Sequence, residues 1–294
     1  MPAEEMPSAE VDVGPTVVRA LLAEQFPELL DLELVELAYG WDNAIFRLGD
    51  ELTVRLPRRA LAAALVEHEQ RWLPELAPRL PLPIPAPVGN GRPGSGCPWS
   101  WSVCPWLPGV VATRATPDDP HEAAQTLGAF VAALHQEAPS DAPENPYRGV
   151  PLLQRDDVVR QRAAQLADLI DAPSVVRCWS ELAATRPWSG PPLWLHGDLH
   201  PANVLVDNGR LSAVIDFGDI TVGDPATDLA VAWMLLPVEA RPAFRAAAGA
   251  IDDDTWARSR GWALSLGLAY LANSADNPMF ARLGEGVLHQ VLGD

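Results

Sequence analysis

Apolar positions along this chain recur with two periods, and the change from one to the other divides it. "TVVRALLAEQF" carries them at helical spacing, with Thr16 read as the helix cap. Three short runs follow in which apolar and polar residues alternate: "LELVELA", "AIFRL" and "ELTVRL", parted by "YGWDN" and "GD". Alternation with tight connections predicts an antiparallel meander. A helix is expected from Ala60 to Leu76. A proline-rich passage, Pro81 to Pro108, then carries "WSWSVCPWLPG", read as a strand that leads into a hinge near Trp106 to Gly109.

Beyond the hinge the spacing is helical. "PHEAAQTLGAFVAALHQEA" sets Leu127, Phe130, Val131 and Leu134 on one face, with Pro120 in its first turn. "DDVVRQRAAQLADLI" and "SVVRCWSELAA" read as two more helices, and helices resume from Ala226 to the end. Between them lies "LWLHGDLHPANVLVDNGRLSAVIDFGD", Leu193 to Asp219, where short buried strands end in polar groups. The pattern predicts an α+β chain of two lobes: a small antiparallel-sheet lobe over residues 1–106 and a larger helical lobe over residues 107–294.

Composition narrows the function. A net charge of −18 over 294 residues argues against nucleic acid, which rewards basic stripes. The same charge favours a cationic small-molecule partner, although solubility explains it equally well. No run approaches the roughly 18 apolar residues that span a bilayer, and the acidic start "MPAEEMPSAE" is not a secretory signal. Cys97, Cys104 and Cys178 have no ligand spacing, which fits reduced thiols in the cytoplasm. No lysine occurs anywhere; all 21 cationic side chains are arginine.

The chemistry concentrates after Leu193. Asp198 precedes Asn203 by five residues, and Asp216 follows thirteen further on. "NVLVDNGRLSAVID" reads as a β-hairpin turning at Asp207-Asn208-Gly209, so Asn203 at its start and Asp216 at its finish are expected as neighbours. Two hard oxygen ligands there make a magnesium site. "HGDLH", with His196 and His200, offers zinc-dependent hydrolysis as another chemistry, but that leaves Asn203, the hairpin and Asp216 without a role.

These spacings resemble the aminoglycoside phosphotransferase family, the small-molecule branch of the protein-kinase-like fold. The resemblance implies a bilobal kinase-like architecture with a catalytic β-hairpin. It also implies transfer of the γ-phosphoryl group of ATP or GTP to a small-molecule hydroxyl. By that resemblance Asp198 is the catalytic base, Asn203 and Asp216 hold Mg2+, and His196 braces the loop. Asp224 and Asp228 in "GDPATDLA" tie the loop to the following helix. Gly197 stands where protein kinases usually carry an arginine, and "FGDITVGDPAT" is too short for an activation loop.

Such a kinase needs a cation over the phosphates, usually lysine. In "ELTVRLPRR", Arg55 projects from the third strand on the face opposite Leu52, Val54 and Leu56. An arginine fork can chelate phosphate oxygens. Its expected partner is Glu69, placed on the inward face of the next helix by the stripe Leu61, Leu65, Trp72, Leu73 and Leu76; Glu67 points to solvent. Arg58 and Arg59 are the alternative partners. Gly40 and Asn43, in the first turn, sit where a glycine-rich phosphate loop would lie. Asp219, and less so Glu285, are candidate acceptor contacts; His68, His121, His135 and His289 read as surface groups. The expected acceptor is an aminoglycoside or another antibiotic. A macrolide, a peptide antibiotic, a small metabolite and a nucleotide-binding pseudokinase stand as alternatives.

Overall fold

The computed structural model describes residues 9–39, 43–274 and 277–293, in two compact units. The first comprises Glu5–Pro108 together with Ala213–Gly218. It contains α1 (Pro15–Gln25), β1 (Leu34–Tyr39), β2 (Asn43–Leu48), β3 (Leu52–Pro57), α2 (Ala60–Leu76), β4 (Gly89–Gly91) and β5 (Trp101–Pro105). The strands form one antiparallel sheet in the order β1-β2-β3-β5-β4. Its register sets Phe46 opposite Val54 and Val54 opposite Val103. These residues share a buried cluster with Leu21 and Leu22 of α1, and with Leu56 and Trp101. Burial of each large side chain there contributes about 1.5–3 kcal/mol.

Two local expectations fail in this unit. Thr16 is not the cap of α1: the helix starts two residues earlier than that cap would set it, with Gly14 as N-cap and Pro15 in the first turn. Pro15, which lacks an N–H, suits a position where that donor would have no helical partner. Leu61 is 76% exposed, because the buried stripe of α2 runs through Ala62, Val66, Glu69, Leu73 and Leu76. That four–three–four–three spacing follows the helical period, and Leu61 falls beside it.

The second unit contains Gly109–Ser212 and the chain from Asp219 onward. It carries β6 (Val110–Val111), α3 (Pro120–Leu134), α4 (Asp156–Gln165), α5 (Ala172–Ala183), β7 (Leu193–Leu195), β8 (Val204–Asp207), β9 (Arg210–Val214) and β10 (Thr221–Gly223). Five helices follow: α6 (Ala226–Leu229), α7 (Val231–Leu235), α8 (Arg241–Ala247), α9 (Asp253–Ala272) and α10 (Pro278–Gly293). Helix α9 is buried through most of its length and packs against α4, α5, α6, α7 and α10. Its start is capped by Asp252, whose Oδ1 accepts the Thr255 N–H at 2.6 Å, a contact of the kind worth about 1 kcal/mol.

The strands of this unit form two small sheets, β6-β8-β9 and β10-β7. Between β8 and β9, Asn208 and Gly209 both have positive φ, 48° and 74°, as a two-residue hairpin turn of the right hand requires. A single cut in the sequence misses one feature: Ala213–Gly218, assigned above to residues 107–294, belongs with the sheet unit. Backbone pairing explains it, since the Val214 N–H donates to the Pro83 carbonyl at 3.1 Å. Helix α4 also ends at Gln165, five residues short of "DDVVRQRAAQLADLI", because Asp171 caps the next helix by accepting the Ser174 N–H. Strand β10 was not foreseen from the sequence. No helix among the described residues is long and apolar enough to cross a membrane.

Candidate active site

In the helical unit the site is built on the short loop that leaves β7. Gly197 has φ +85°, and a Cβ there would sit 2.2 Å from the Asp219 carbonyl oxygen, so a side chain is excluded twice over. Buried Asp228 holds this turn from beneath: it accepts the His196 N–H at 2.8 Å and the Gly197 N–H at 2.9 Å. His135 meets the same carboxylate at 3.2 Å, so it is a bracing group with a buried side chain and not a surface histidine. The His196 ring, fully buried, has its Nδ1 3.2 Å from the Asp198 N–H, which donates to it. Asp224 accepts the Ala226 N–H and takes a two-pronged ion pair from Arg258, at 2.7 and 3.1 Å, with both side chains 3% exposed.

Both oxygens of Asp198 are engaged. Arg148 donates to Oδ1 at 3.1 Å, and His200 Nε2 lies 3.2 Å from Oδ2. His200 Nδ1 accepts the Ala202 N–H at 3.1 Å, so its neutral tautomer carries the proton on Nε2 and donates it to Asp198. Burial alone would raise the Asp198 carboxyl, but His200, Arg148 and His196 outweigh it and hold the group well below the usual carboxylate range. Asn203 donates its Nδ2–H to the Asp198 carbonyl at 3.0 Å, which turns its Oδ1 away as an available acceptor. His200 packs edge-on to Tyr270 and Phe280.

Arg148 and His200 are the residues the sequence reading missed as parts of this site. Their signal was there for His200, two positions after Asp198, but it pointed toward zinc. With both ring nitrogens occupied, His200 has no lone pair for a metal, and the described residues contain no group of three His, Cys, Asp or Glu side chains able to hold one. Arg148 had no local signal. It is aimed by its neighbour Gly149, whose N–H donates to Thr227 Oγ1 at 3.1 Å and whose carbonyl accepts the Asp224 N–H at 2.8 Å. Asn145 in the same segment donates to Asp219 Oδ1 at 2.8 Å, and Arg148 lies 3.9 Å from Asp219 Oδ2. Glu285 is exposed on α10.

In the sheet unit, Arg55 Nη1 lies 3.0 Å from Glu69 Oε1, with side chains 8% and 2% exposed. Arg55 Nη2 is also 3.7 Å from Asp216 Oδ1, on a side chain that is 60% exposed. Burial would lower the Arg55 guanidinium, but Glu69 and Asp216 outweigh it and hold it above the usual arginine range. Burial pushes the neighbouring Cys104 thiol up to about 12. Asp216 has φ +61°, a strained conformation for a non-glycine residue of the kind that persists at functional sites. Asn43 opens β2 opposite Pro57, with its Oδ1 buried and lacking a hydrogen-bond partner. Gly40 lies outside the described residues.

A five-stranded antiparallel sheet with a buried cation–carboxylate pair, joined in the chain to a helical unit with an "HGDLHPAN" loop, defines the protein-kinase-like class of phosphotransferases. Within that class, this chain belongs to the phosphotransferase enzyme family (APH), whose model matches residues 33–262. It is similar to an aminoglycoside 3'-phosphotransferase of Streptomyces fradiae, with 31% identity over 55% of this chain and 62% of that one. An enzyme of the same name from Salmonella typhimurium is 27% identical over 47% of this chain and 53% of its own. The chain thus spans less than two thirds of the length of these relatives. Among solved structures, the GDP complex of wild-type aminoglycoside 2'-phosphotransferase-IIIa has a TM-score of 0.68 at 20% identity, covering 94% of this chain and 97% of that one. The apoenzyme of macrolide 2'-phosphotransferase MphH from Brachybacterium faecium gives 0.59 at 26% identity, covering 94% and 97%.

Proposed function

We propose that this protein transfers the γ-phosphoryl group of ATP or GTP to a hydroxyl of a small molecule, of the antibiotic type named for its relatives. The observation that carries this is the state of Asp198: a carboxylate fixed on both oxygens by Arg148 and His200, with the Asn203 amide locked to its carbonyl. A carboxylate of such low proton affinity does not strip a proton from an alcohol in the ground state. It accepts the hydroxyl hydrogen, aims the oxygen lone pair, and takes the proton as the O–P bond forms. Phosphoryl transfer asks for that positioning more than for a strong base.

Arg55 is the cation over the nucleotide phosphates, and Glu69 holds it in place. An arginine fork gives two donors where lysine gives a point charge, so a chain without lysine can still clamp a phosphate. Asn203 and Asp216 are the proposed Mg2+ ligands: an amide oxygen left available by the Nδ2–H bond to the Asp198 carbonyl, and a solvent-accessible carboxylate, both hard donors of the kind that ion takes. Bound there, the ion would neutralise charge on the phosphates. Asp219 and Asn145 are proposed to face the acceptor.

The test is nucleotide consumption with magnesium, ATP and GTP in parallel, against aminoglycosides, macrolides, peptide antibiotics and amino alcohols, with Asp198→Asn as the blank. Acceptor-dependent turnover should vanish in the variant while nucleotide affinity stays within about twofold. Equal loss of binding and turnover would remove Asp198 from the proposed role. Nucleotide binding with no turnover on any acceptor would favour a pseudokinase.

A further inference from the structure

One of the two side-chain contacts of Asp198 comes from a ring that its own loop holds at a single point. His200 accepts the Ala202 N–H at Nδ1, 3.1 Å away, and faces Asp198 Oδ2 from Nε2 at 3.2 Å. Ala202 lies only two residues on, so that contact moves with the loop and lets the imidazole tip about Nδ1. A tipped ring would carry its Nε2–H off the carboxylate.

The remaining restraint comes from two aromatic side chains far away in the chain. Tyr270, in the last turn of α9, meets the His200 ring at 5.6 Å between centroids and 78° between planes. Phe280, in the first turn of α10, meets it at 5.7 Å and 84°. Tyr270 and Phe280 also touch each other, at 5.4 Å and 38°. Edge-to-face contact is the arrangement that ring quadrupoles favour. A ring set at right angles to two others cannot tip without losing both contacts. The two helices are packed closely enough to bring these rings together: a Cβ on Gly284 of α10 would lie 2.8 Å from the Gly267 carbonyl oxygen of α9. The start of α10 is tied down as well, by the Thr113 hydroxyl donating to Met279 Sδ at 3.1 Å.

The Tyr270 hydroxyl is buried and makes no hydrogen bond among the described residues. A buried phenol kept for its O–H would have a partner. What Tyr270 supplies to His200 is therefore its ring.

We propose that Tyr270 and Phe280 are positioning residues for phosphoryl transfer: their rings fix the tilt of His200 and so keep its Nε2–H on Asp198. This deepens the phosphotransferase reading and rests on it. The C-terminal helices then help to aim the carboxylate at the acceptor hydroxyl without supplying a group to the reaction. Misplacing a reacting group by about 1 Å can cost about 100-fold in rate. Loss of either ring should thus appear in kcat and leave nucleotide binding, assigned to Arg55, nearly intact.

A double-mutant cycle separates action through His200 from general loosening, using whichever acceptor of the panel above is turned over. Phe280→Leu and His200→Ala should each lower kcat about tenfold or more, with the nucleotide KM within about twofold. The two together should fall no more than about twofold below His200→Ala alone. Tyr270→Leu should behave like Phe280→Leu, whereas Tyr270→Phe keeps the ring and should hold kcat within about twofold of the wild type. Val291→Ala is the control for loosening: Val291 is fully buried on α10, about 16 Å along the helix from Phe280. It should lower the unfolding midpoint and leave kcat unchanged. Three results overturn the proposal: multiplying losses in the cycle, a Tyr270→Phe variant as slow as Tyr270→Leu, or a Val291→Ala variant as slow as Phe280→Leu.

Nitrogen-15 spectra of the histidine rings, taken at mildly alkaline pH, need no acceptor. The His200 signals are assigned by their disappearance in His200→Ala. In the wild type they should show one neutral tautomer, protonated on Nε2 and bare on Nδ1. Phe280→Leu should broaden or average the two signals, while Tyr270→Phe and Val291→Ala should leave them in place. Averaged signals already in the wild type, or sharp and unshifted ones in Phe280→Leu, overturn the proposal. A panel with no turnover would count against the phosphotransferase reading, and the spectra would still decide whether the two rings fix His200.

Discussion

Replacing Glu69 with glutamine removes one charge and almost no volume from the buried pair on which the proposed phosphate clamp depends. Arg55 and Glu69 are 3.0 Å apart, so at an effective dielectric of about 20 their attraction is roughly 5–6 kcal/mol. Asp216, at 3.7 Å, takes over part of that role, but its side chain is 60% exposed and solvent screens it. Loss of one partner of a buried pair costs about 3–5 kcal/mol, and the remaining carboxylate places the expected loss near the lower end, about 3 kcal/mol. With a urea slope of about 2 kcal/mol/M, the midpoint of the sheet unit should fall by roughly 1.5 M. Nucleotide affinity should fall as well, by about tenfold or more, because Arg55 turns toward Asp216 and away from the phosphates. The double variant Arg55→Met, Glu69→Leu separates the two effects: it should recover most of the stability and none of the nucleotide binding. The assay is urea unfolding followed by tryptophan fluorescence, with nucleotide titration on the same samples. A midpoint shift under about 0.5 M, or unchanged nucleotide affinity in Glu69→Gln, would refute the reasoning.

Gly197→Ala should abolish turnover and lower thermal stability, since the added Cβ meets the Asp219 carbonyl at 2.2 Å; an active, equally stable variant would disprove the close approach. His200→Ala should raise the Asp198 carboxyl toward ordinary values, measurable by carboxyl NMR titration, and an unmoved titration would exclude the hydrogen bond as a cause. The sign of the Asp198 contribution to stability follows from its depressed value. That stability is full above the unfolded value of about 4 and is lost as pH falls toward the folded value; Asp198→Asn should therefore flatten the acid side of the stability curve. Asp224→Ala leaves Arg258 buried without its carboxylate and should cost about 3–5 kcal/mol, where a change below about 1 kcal/mol in chemical denaturation would contradict it.

The sequence alone determined what depends on neighbours in the chain. Period-two alternation wrote β2 and β3, the helical stripe turned Glu69 inward, and Asn208-Gly209 supplied the positive φ values that close the β8–β9 hairpin. The order of His196, Gly197, Asp198 and Asn203 was legible because all four lie on one loop whose turn admits only glycine at Gly197. Tertiary structure alone decided what depends on residues distant in the chain. His135 lies 93 positions from Asp228, and Arg148 lies 50 from Asp198, so no local pattern reports either contact. The same holds for Ala213–Gly218, which reads as one arm of a hairpin yet pairs its backbone with Pro83. Periodicity records which face of an element is buried; which distant side chain fills the space opposite is settled only when the elements pack. Arg148 beside Asp198 belongs to that second kind, distant in sequence and brought to the carboxylate only by the fold.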